Sequence, residues 1–600
     1  MSTETSAPAD SDDVKAEFSD LAALDPEQLP VPKHRLHGAG HFAGLYGAEH
    51  VAATEFVIGA TFVALGAGIW DILIGLIIGN LLATLSFRFI TAPIAVKSRL
   101  SFYAYMHRIV GDSVSRVYNG ANAVIFAVIS AAMITVSATA VRRLFGIPGQ
   151  EQAYPTHLGF VAITVLFSVV AVLVAVVGFN AVAEIASLCA PWLMLLFTVG
   201  GMVLLPQLIE SINGTTTLDG FGGFVDVAGA TVFTGINADG EPGIGLLEVV
   251  GFAWAANTFA HFGLVDMALL RYARKSSYGY ATATGMMFGH YVAWISAGLM
   301  GAAVAWITAT SIAVLEPGDV AWHALGATGF IIVVIAGWTT ANPNIYRAGL
   351  AAQSVFPKVS RTKVTILVGV MVAATSAFPF FYRSVLPVLT YAGLVLVPLG
   401  GIVFAEHYLF RRLGLTKYWS RFKGVKHNMP AFIAWAAALV VGFGLNILQV
   451  IPYYYLFIPA WITSIVVYTV LAKGAGASQE YPEQQSEDDR FDARVKRYHD
   501  QLAKTEDVTH FKDRSVLGRL LLVVSVVALA IIFVFAFRVL FFSPDLYHYY
   551  VNREQFYVAT LVGTIVYFVA AYTRQQRTKW LRKRAEASSG RTPPPRDNTR

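Results

Sequence analysis

Runs of about 20 apolar residues recur from end to end of this 600-residue chain. Each is long enough to cross a hydrocarbon core of about 30 Å as a helix. Composition supports that reading, since 56% of residues are hydrophobic and only 14% are charged. A soluble domain of this size needs far more charge to cover its surface. The runs define about fourteen expected spans, at 43–66, 71–96, 119–141, 157–177, 182–208, 246–270, 279–309, 327–349, 363–381, 384–410, 430–449, 451–472, 516–541 and 554–573. The chain therefore reads as an all-α, multi-pass protein of the cell membrane.

Charge in the connections sets an expected orientation. Lys and Arg concentrate in one set of loops: Lys97, Arg99, Arg108 and Arg116, then Arg271, Arg274 and Lys275, then Lys358, Arg361 and Lys363, then Arg411 to Lys423. The alternate connections are acidic. The stretch 209–245 carries Glu210, Asp219, Asp226, Asp239 and Glu241 with no Lys or Arg, and 310–326 carries Glu316 and Asp319. The positive-inside rule then places both termini in the cytoplasm, with Arg142 and Arg143 as the exception. A net charge of +6 distributed this way does not call for nucleic acid. The single Cys189 excludes a disulfide framework, and the acidic N-terminus lacks a cleavable-signal pattern.

The expected organisation has five parts: a disordered cytoplasmic tail (1–40), a twelve-helix core (41–472), a linker (473–515), two appended helices (516–575) and a basic disordered tail (576–600). The linker reads as solvated, with a short surface helix over 491–502 as the alternative.

Two polar islands interrupt the first and sixth spans: Gly47-Ala48-Glu49-His50-Val51-Ala52-Ala53-Thr54-Glu55-Phe56 and Trp254-Ala255-Ala256-Asn257-Thr258-Phe259-Ala260-His261-Phe262-Gly263. These are corresponding positions if the chain is built from two five-span halves. Paired interruptions point to a transporter's binding site, because a broken helix frees backbone dipoles for a substrate or ion. An ionisable residue inside a span is costly unless it faces protein or water, and is a functional candidate by default. Glu55, among Val51, Ala52, Ala53, Phe56 and Val57, suits a proton carrier, a cation ligand or a counter-ion, or else a structural acid bonded between helices. His50 is a second candidate.

In the sixth span Trp254, Asn257 and His261, with Thr258 beside them, share a face if the segment is helical and free their backbone groups for a ligand if it is unwound. Trp254 offers a stacking surface, and Asp266 can pair with Arg271 or serve in structural or gating work. The eighth span carries Gly337-Trp338-Thr339-Thr340-Ala341-Asn342-Pro343-Asn344. Thr339 and Thr340 can offer oxygen ligands to a hard cation beside carbonyls freed in the first span, with Thr54 nearby. Pro343 removes a backbone donor and frees a carbonyl. Thr hydroxyls bonding back to their own helix are the plain structural alternative.

Further stretches stand out: Gly75-Leu76-Ile77-Ile78-Gly79-Asn80 leading to Arg99-Leu100-Ser101-Phe102-Tyr103 and Arg108-Ile109-Val110-Gly111, and Gly263 to Lys275. Asn342-Pro343-Asn344 with Phe356-Pro357-Lys358 follow, then Gly400-Gly401-Ile402-Val403-Phe404-Ala405-Glu406-His407-Tyr408. In these stretches the chain resembles the nucleobase:cation symporter-1 family of purine–cytosine permease-like transporters. The likeness covers about residues 40–472. It implies a five-plus-five inverted-repeat fold with broken first and sixth helices, and a site lined by spans one, three, six and eight. It further implies symport of a flat heterocycle with Na⁺ or H⁺ and no other cofactor. By that likeness Trp254 stacks on substrate, Asn342 or Asn344 supplies an amide, and Thr339 and Thr340 hold sodium. The chain departs from the family in its third span, where Phe126 is the nearest aromatic and Ser130 and Thr135 the nearest polar groups. It also departs at Glu55, where an amide is expected, and in its two extra spans.

The expected function is thus secondary active symport of a small nitrogenous compound across a lipid bilayer. The alternatives are carriage of an amine or cation with Glu55 as counter-charge, and a transporter-derived receptor or scaffold. An enzyme is not expected: paired catalytic carboxylates, metal-spaced histidines, a nucleophile motif and a P-loop are all missing. The sequence leaves the oligomeric state open.

Overall fold

The computed structural model describes residues 17–24, 29–177, 179–505, 513 and 515–588. Their regular structure is helical, with only isolated β-bridges in the connections. Helices satisfy every backbone polar group within one segment, which hydrocarbon demands. Ten helices among the described residues are long and apolar enough to cross a membrane. They correspond to the expected second, third, fourth, fifth, seventh and tenth to fourteenth spans. The other four fall short for readable reasons. The first and sixth are broken, into Ala39–His50 and Glu55–Ala64, and into Leu246–Ala255, Thr258–His261 and Met267–Leu270. The eighth, Ala327–Val355, is long but diluted by its polar run, and the ninth, Arg361–Ser376, has 16 residues.

Packing around the two breaks is matched. The second half of the first span, Glu55–Ala64, packs on the seventh span, while Leu246–Ala255 of the sixth packs on the second. Each partner helix widens to a π-helical turn, Phe87–Thr91 in the second span and Met286–Val292 in the seventh. Such turns recur at functional sites, because they break the regular hydrogen-bond ladder. Thr91 Oγ1 donates to the His261 carbonyl at 2.6 Å. On the other side Gly289 meets His50, and a Cβ there would lie 2.1 Å from the His50 carbonyl oxygen. Only glycine permits that approach. The third span, Phe102–Leu144, kinks at Gly111, whose φ of 73° favours glycine.

Several expectations change at the edges. Arg142 and Arg143, the exceptions to the charge pattern, are neutralised: Arg142 bonds Glu316 and, at 2.7 Å, Asp319, while Arg143 reaches Asp319 at 2.5 Å. The stretch expected to be a solvated linker holds a 24-residue helix, Pro482–Thr505. Its Val495, Tyr498 and Leu502 bury against Phe18, Leu21 and Leu29. Part of the expected N-terminal tail is thereby ordered. The last helix, Leu546–Ser588, runs well into the expected basic tail, with Arg577 bonding Asp513 at 3.1 Å and Lys579 bonding Glu184 at 2.5 Å.

Candidate functional site

The breaks exist because each span loses its hydrogen-bond ladder where polar and small residues cluster. After His50, Val51 takes a non-helical φ/ψ of −90°/66°, and the helix restarts at Glu55. In the sixth span Asn257 is non-helical, and Leu264 has a φ of 62°. Between the broken segments lies a cavity of about 50 Å³. It gathers His50, Thr54 and Glu55 of the first span, Asn257 of the sixth, and Thr340 and Asn344 of the eighth. The third span contributes Ile129 and Met133, and Phe259 adds an aromatic edge.

Other expected site residues lie elsewhere. Trp254 donates to Ser86 Oγ at 3.2 Å and packs on Phe262 and Phe457, away from the cavity. His261 is fully buried with its ring edge-on to Phe87. Thr258 bonds back to the Ala255 carbonyl at 3.1 Å. Phe126 sits behind Phe259, with ring centroids 5.4 Å apart. Asn342 is buried outside the cavity lining, and Thr339 bonds the Ala336 carbonyl at 3.2 Å. In the eighth span one helix face reaches the cavity, so alternate members of its polar run point away.

The seventh span supplies residues that sequence reasoning missed. The indole N–H of Trp294 donates to Glu55 Oε2. Its ring stacks on His290 with centroids 4.3 Å apart and planes 10° from parallel. His290 links Asn257 Nδ2 at 3.2 Å with Asn80 Oδ1 at 3.1 Å, and lies 5.3 Å from His50 by ring centroid. A continuous polar band therefore runs Asn80–His290–Asn257 beside Trp294–Glu55. His290 carried the same signal as His50, an ionisable residue within an apolar run.

One edge of the cavity is ionic. Arg347, at 1% exposure, reaches Glu49 Oε1 at 2.5 Å and Asp266 Oδ1 at 2.6 Å. Asn344 Oδ1 accepts from Arg347 at 3.1 Å, and Tyr46 donates to Asp266 at 3.0 Å. Asp266 thus pairs with the eighth span rather than with Arg271, five residues away in sequence. The cluster ties together the first, sixth and eighth spans. Beside it Thr340 Oγ1 donates to the Glu49 carbonyl at 2.9 Å and lies 3.1 Å from the Ala336 carbonyl. Hydroxyl and carbonyl oxygens from two helices converge there, the donor chemistry a hard cation takes.

No family model matches this chain, and no curated protein is similar to it in sequence. Solved structures match it in fold. One is Mhp1, a nucleobase-cation-symport-1 family transporter, in a closed conformation with bromovinylhydantoin bound. Its TM-score is 0.58 at 16% identity, covering 79% of this chain and 99% of that one. The inward-facing conformation of Mhp1 matches at 0.58 and 17%, covering 78% and 97%. A substrate-bound, outward-open Na⁺-coupled sialic acid symporter matches at 0.52 and 14%, covering 78% and 96%. The chain is a multi-pass membrane protein with the fold of these symporters.

Proposed function

We propose that this protein is a secondary active symporter of a small nitrogenous compound, a nucleobase, hydantoin or related heterocycle, coupled to Na⁺ or H⁺ by alternating access. In this reading the chain crosses the cell membrane fourteen times, its two five-span halves form an inverted repeat, and both termini are cytoplasmic. The observation that carries the proposal is the enclosure of one polar cavity between two matched helix breaks. Broken helices at corresponding positions are how such carriers present backbone dipoles and carbonyls at mid-membrane. The substrate end is the band Asn257–His290, with Phe259 and Trp294 as aromatic walls. The ion end is Thr340 with the Glu49 and Ala336 carbonyls, and Thr339 and Thr54 nearby.

A cavity of about 50 Å³ has room for about one or two water molecules. Sites for drug-sized ligands occupy some 300–1,000 Å³. Admitting a heterocycle therefore requires the half-helices to part, and the Glu49–Arg347–Asp266 cluster is the contact that holds them on one side.

A second reading is favoured by a specific feature. Among the described residues no cation pairs with Glu55, whose side chain accepts the Trp294 N–H. A carboxylate flanked by aromatic faces suits an amine, through charge pairing and cation–π attraction. Uptake into proteoliposomes separates the two, using radiolabelled cytosine, a hydantoin and methylammonium, each with and without Na⁺ and pH gradients. Gradient-driven accumulation of the heterocycles supports the first reading, and of methylammonium the second. Saturable binding without accumulation of any substrate would instead favour a receptor or scaffold.

A further inference from the structure

Helix Pro482–Thr505 lies across the ends of the second, third and tenth spans and closes a cavity of about 480 Å³ against them. Six cations line it: Lys33, Lys97, Arg99, Arg108, Lys417 and Lys496. Among the described residues only two carboxylates, Asp492 and Asp500, face them. The lining thus carries an excess of four positive charges (six less two). Among the described residues, none of the six cations has a carboxylate oxygen within 4.0 Å. The helix does form ion pairs elsewhere: Asp488 takes Arg421 at 2.6 Å, and Arg494 takes Asp20 at 2.7 Å. It is therefore docked by other contacts, while the cations around the cavity outnumber the carboxylates that face them.

Their mutual repulsion registers in two groups. Burial, together with Lys97 and Arg108, brings Lys417 down to about 8 despite the opposing pull of Glu406. Burial, then His34, Arg35 and Arg99, brings His499 down to about 4. The ammonium of Lys417 rests instead on the rings of Tyr418 and Tyr105, at 4.4 and 5.3 Å. Like charges gathered in a partly enclosed space are screened less than on open surface. An anion bearing several charges relieves that repulsion, and the two guanidiniums can grip phosphate oxygens in pairs. The volume falls within the range of small-ligand sites.

We propose that this cavity is a binding site for a phosphate-bearing anion, separate from the transport cavity, that clamps helix Pro482–Thr505 to the core. The phosphate belongs either to a water-soluble compound or to a lipid headgroup, since Lys97 and Arg99 sit at the end of a membrane span.

The test uses the full-length protein, delipidated in detergent, with thermal unfolding as the readout. Pyrophosphate is the soluble probe, and sodium chloride at equal ionic strength is its control. Nanodiscs with phosphatidylglycerol or with phosphatidylcholine alone form the lipid arm. Ligand that binds the folded state raises the unfolding temperature in a saturable way. The double variant Lys97→Glu, Lys496→Glu changes two exposed side chains and is expected to weaken half-saturation at least about tenfold. If that variant folds poorly, Lys97→Gln, Lys496→Gln is compared by binding of radiolabelled pyrophosphate. Saturation by pyrophosphate identifies a soluble ligand. An effect confined to phosphatidylglycerol and lost in the variant identifies a headgroup. No saturable effect of either probe, or an effect equal in protein and variant, overturns the proposal.

Discussion

Glu49 and Glu55 stand on opposite lips of the first-span break, and the fold treats them in opposite ways. Glu49 receives the guanidinium of Arg347, which also holds Asp266 across the cavity edge. Glu55 receives no cation among the described residues, and its carboxylate accepts the neutral indole N–H of Trp294. A buried charge is costly unless it is paired and fully hydrogen-bonded. The Glu49 lip therefore bears the marks of a structural closure, Glu49 and Asp266 sharing one guanidinium, although Glu49 Oε2 and Arg347 Nε take no partner among the described residues. At the Glu55 lip the carboxylate leaves bonding capacity for something that arrives. The contrast separates residues that hold the breaks together from residues that bind.

Arg347→Ala should show the largest effect. It leaves Glu49 and Asp266 buried without their partner, and removing one member of a buried ion cluster costs about 3–5 kcal/mol. Thermal unfolding in detergent should register a fall of several degrees or more. The triple variant Arg347→Met, Glu49→Gln, Asp266→Asn should recover much of it, because no uncompensated charge remains. An Arg347→Ala protein as stable as the parent would remove the distinction between the two lips.

Glu55→Gln should behave in the reverse sense. The amide oxygen still accepts from Trp294, so stability should change by no more than about 1 kcal/mol. A charge-assisted bond to a substrate or ion is worth about 1.5–3 kcal/mol, so binding should weaken by about 10- to 150-fold. Uptake in proteoliposomes reads this directly. Uptake of cytosine or a hydantoin unchanged by the substitution would end the proposed role of Glu55. Thr340→Val is expected to act more narrowly. It deletes the hydroxyl that bonds the Glu49 carbonyl, at a cost of about 1 kcal/mol, and should raise the Na⁺ concentration for half-maximal uptake by about fivefold. Uptake indifferent to Na⁺ before and after would assign the coupling to protons.

The helical class and the two breaks were legible because both are written in local composition: apolar length for the spans, small and polar residues for the interruptions. Which polar residues face the cavity was only partly legible. His50, Glu55, Asn257, Thr340 and Asn344 line it, yet Thr339 and Asn342 share the same polar run and do not. Helix rotation decides that, and rotation is set by packing against partners far away in sequence. Arg347 and Glu49 passed unremarked for a related reason. Arg347 lies near a span end, where a charge is ordinary, Glu49 stands in the first island beside the more conspicuous His50, and the significance of both appears only once the eighth span is laid against the first. His290 and Trp294 were missed for want of a break in the seventh span, though His290 met the criterion that singled out His50. The helical linker stood out too little because Val495, Tyr498 and Leu502, at spacings of three and four, are few among many charges.

Trp254→Phe should have the smallest effect, and it tests the boundary of the site. Resemblance assigns this side chain to stacking on substrate, whereas its indole donates to Ser86 and packs among Phe262 and Phe457. Phenylalanine keeps the aromatic contacts and loses one hydrogen bond, worth about 1 kcal/mol of stability. Since the side chain lies outside the cavity lining, substrate affinity should stay within about twofold, or about 0.4 kcal/mol. A tenfold loss of affinity with stability intact would show that the sixth span turns its indole inward when substrate is bound. The binding surface would then extend beyond the cavity enclosed here, and Trp254 would join Glu55 on the side of the molecule that binds.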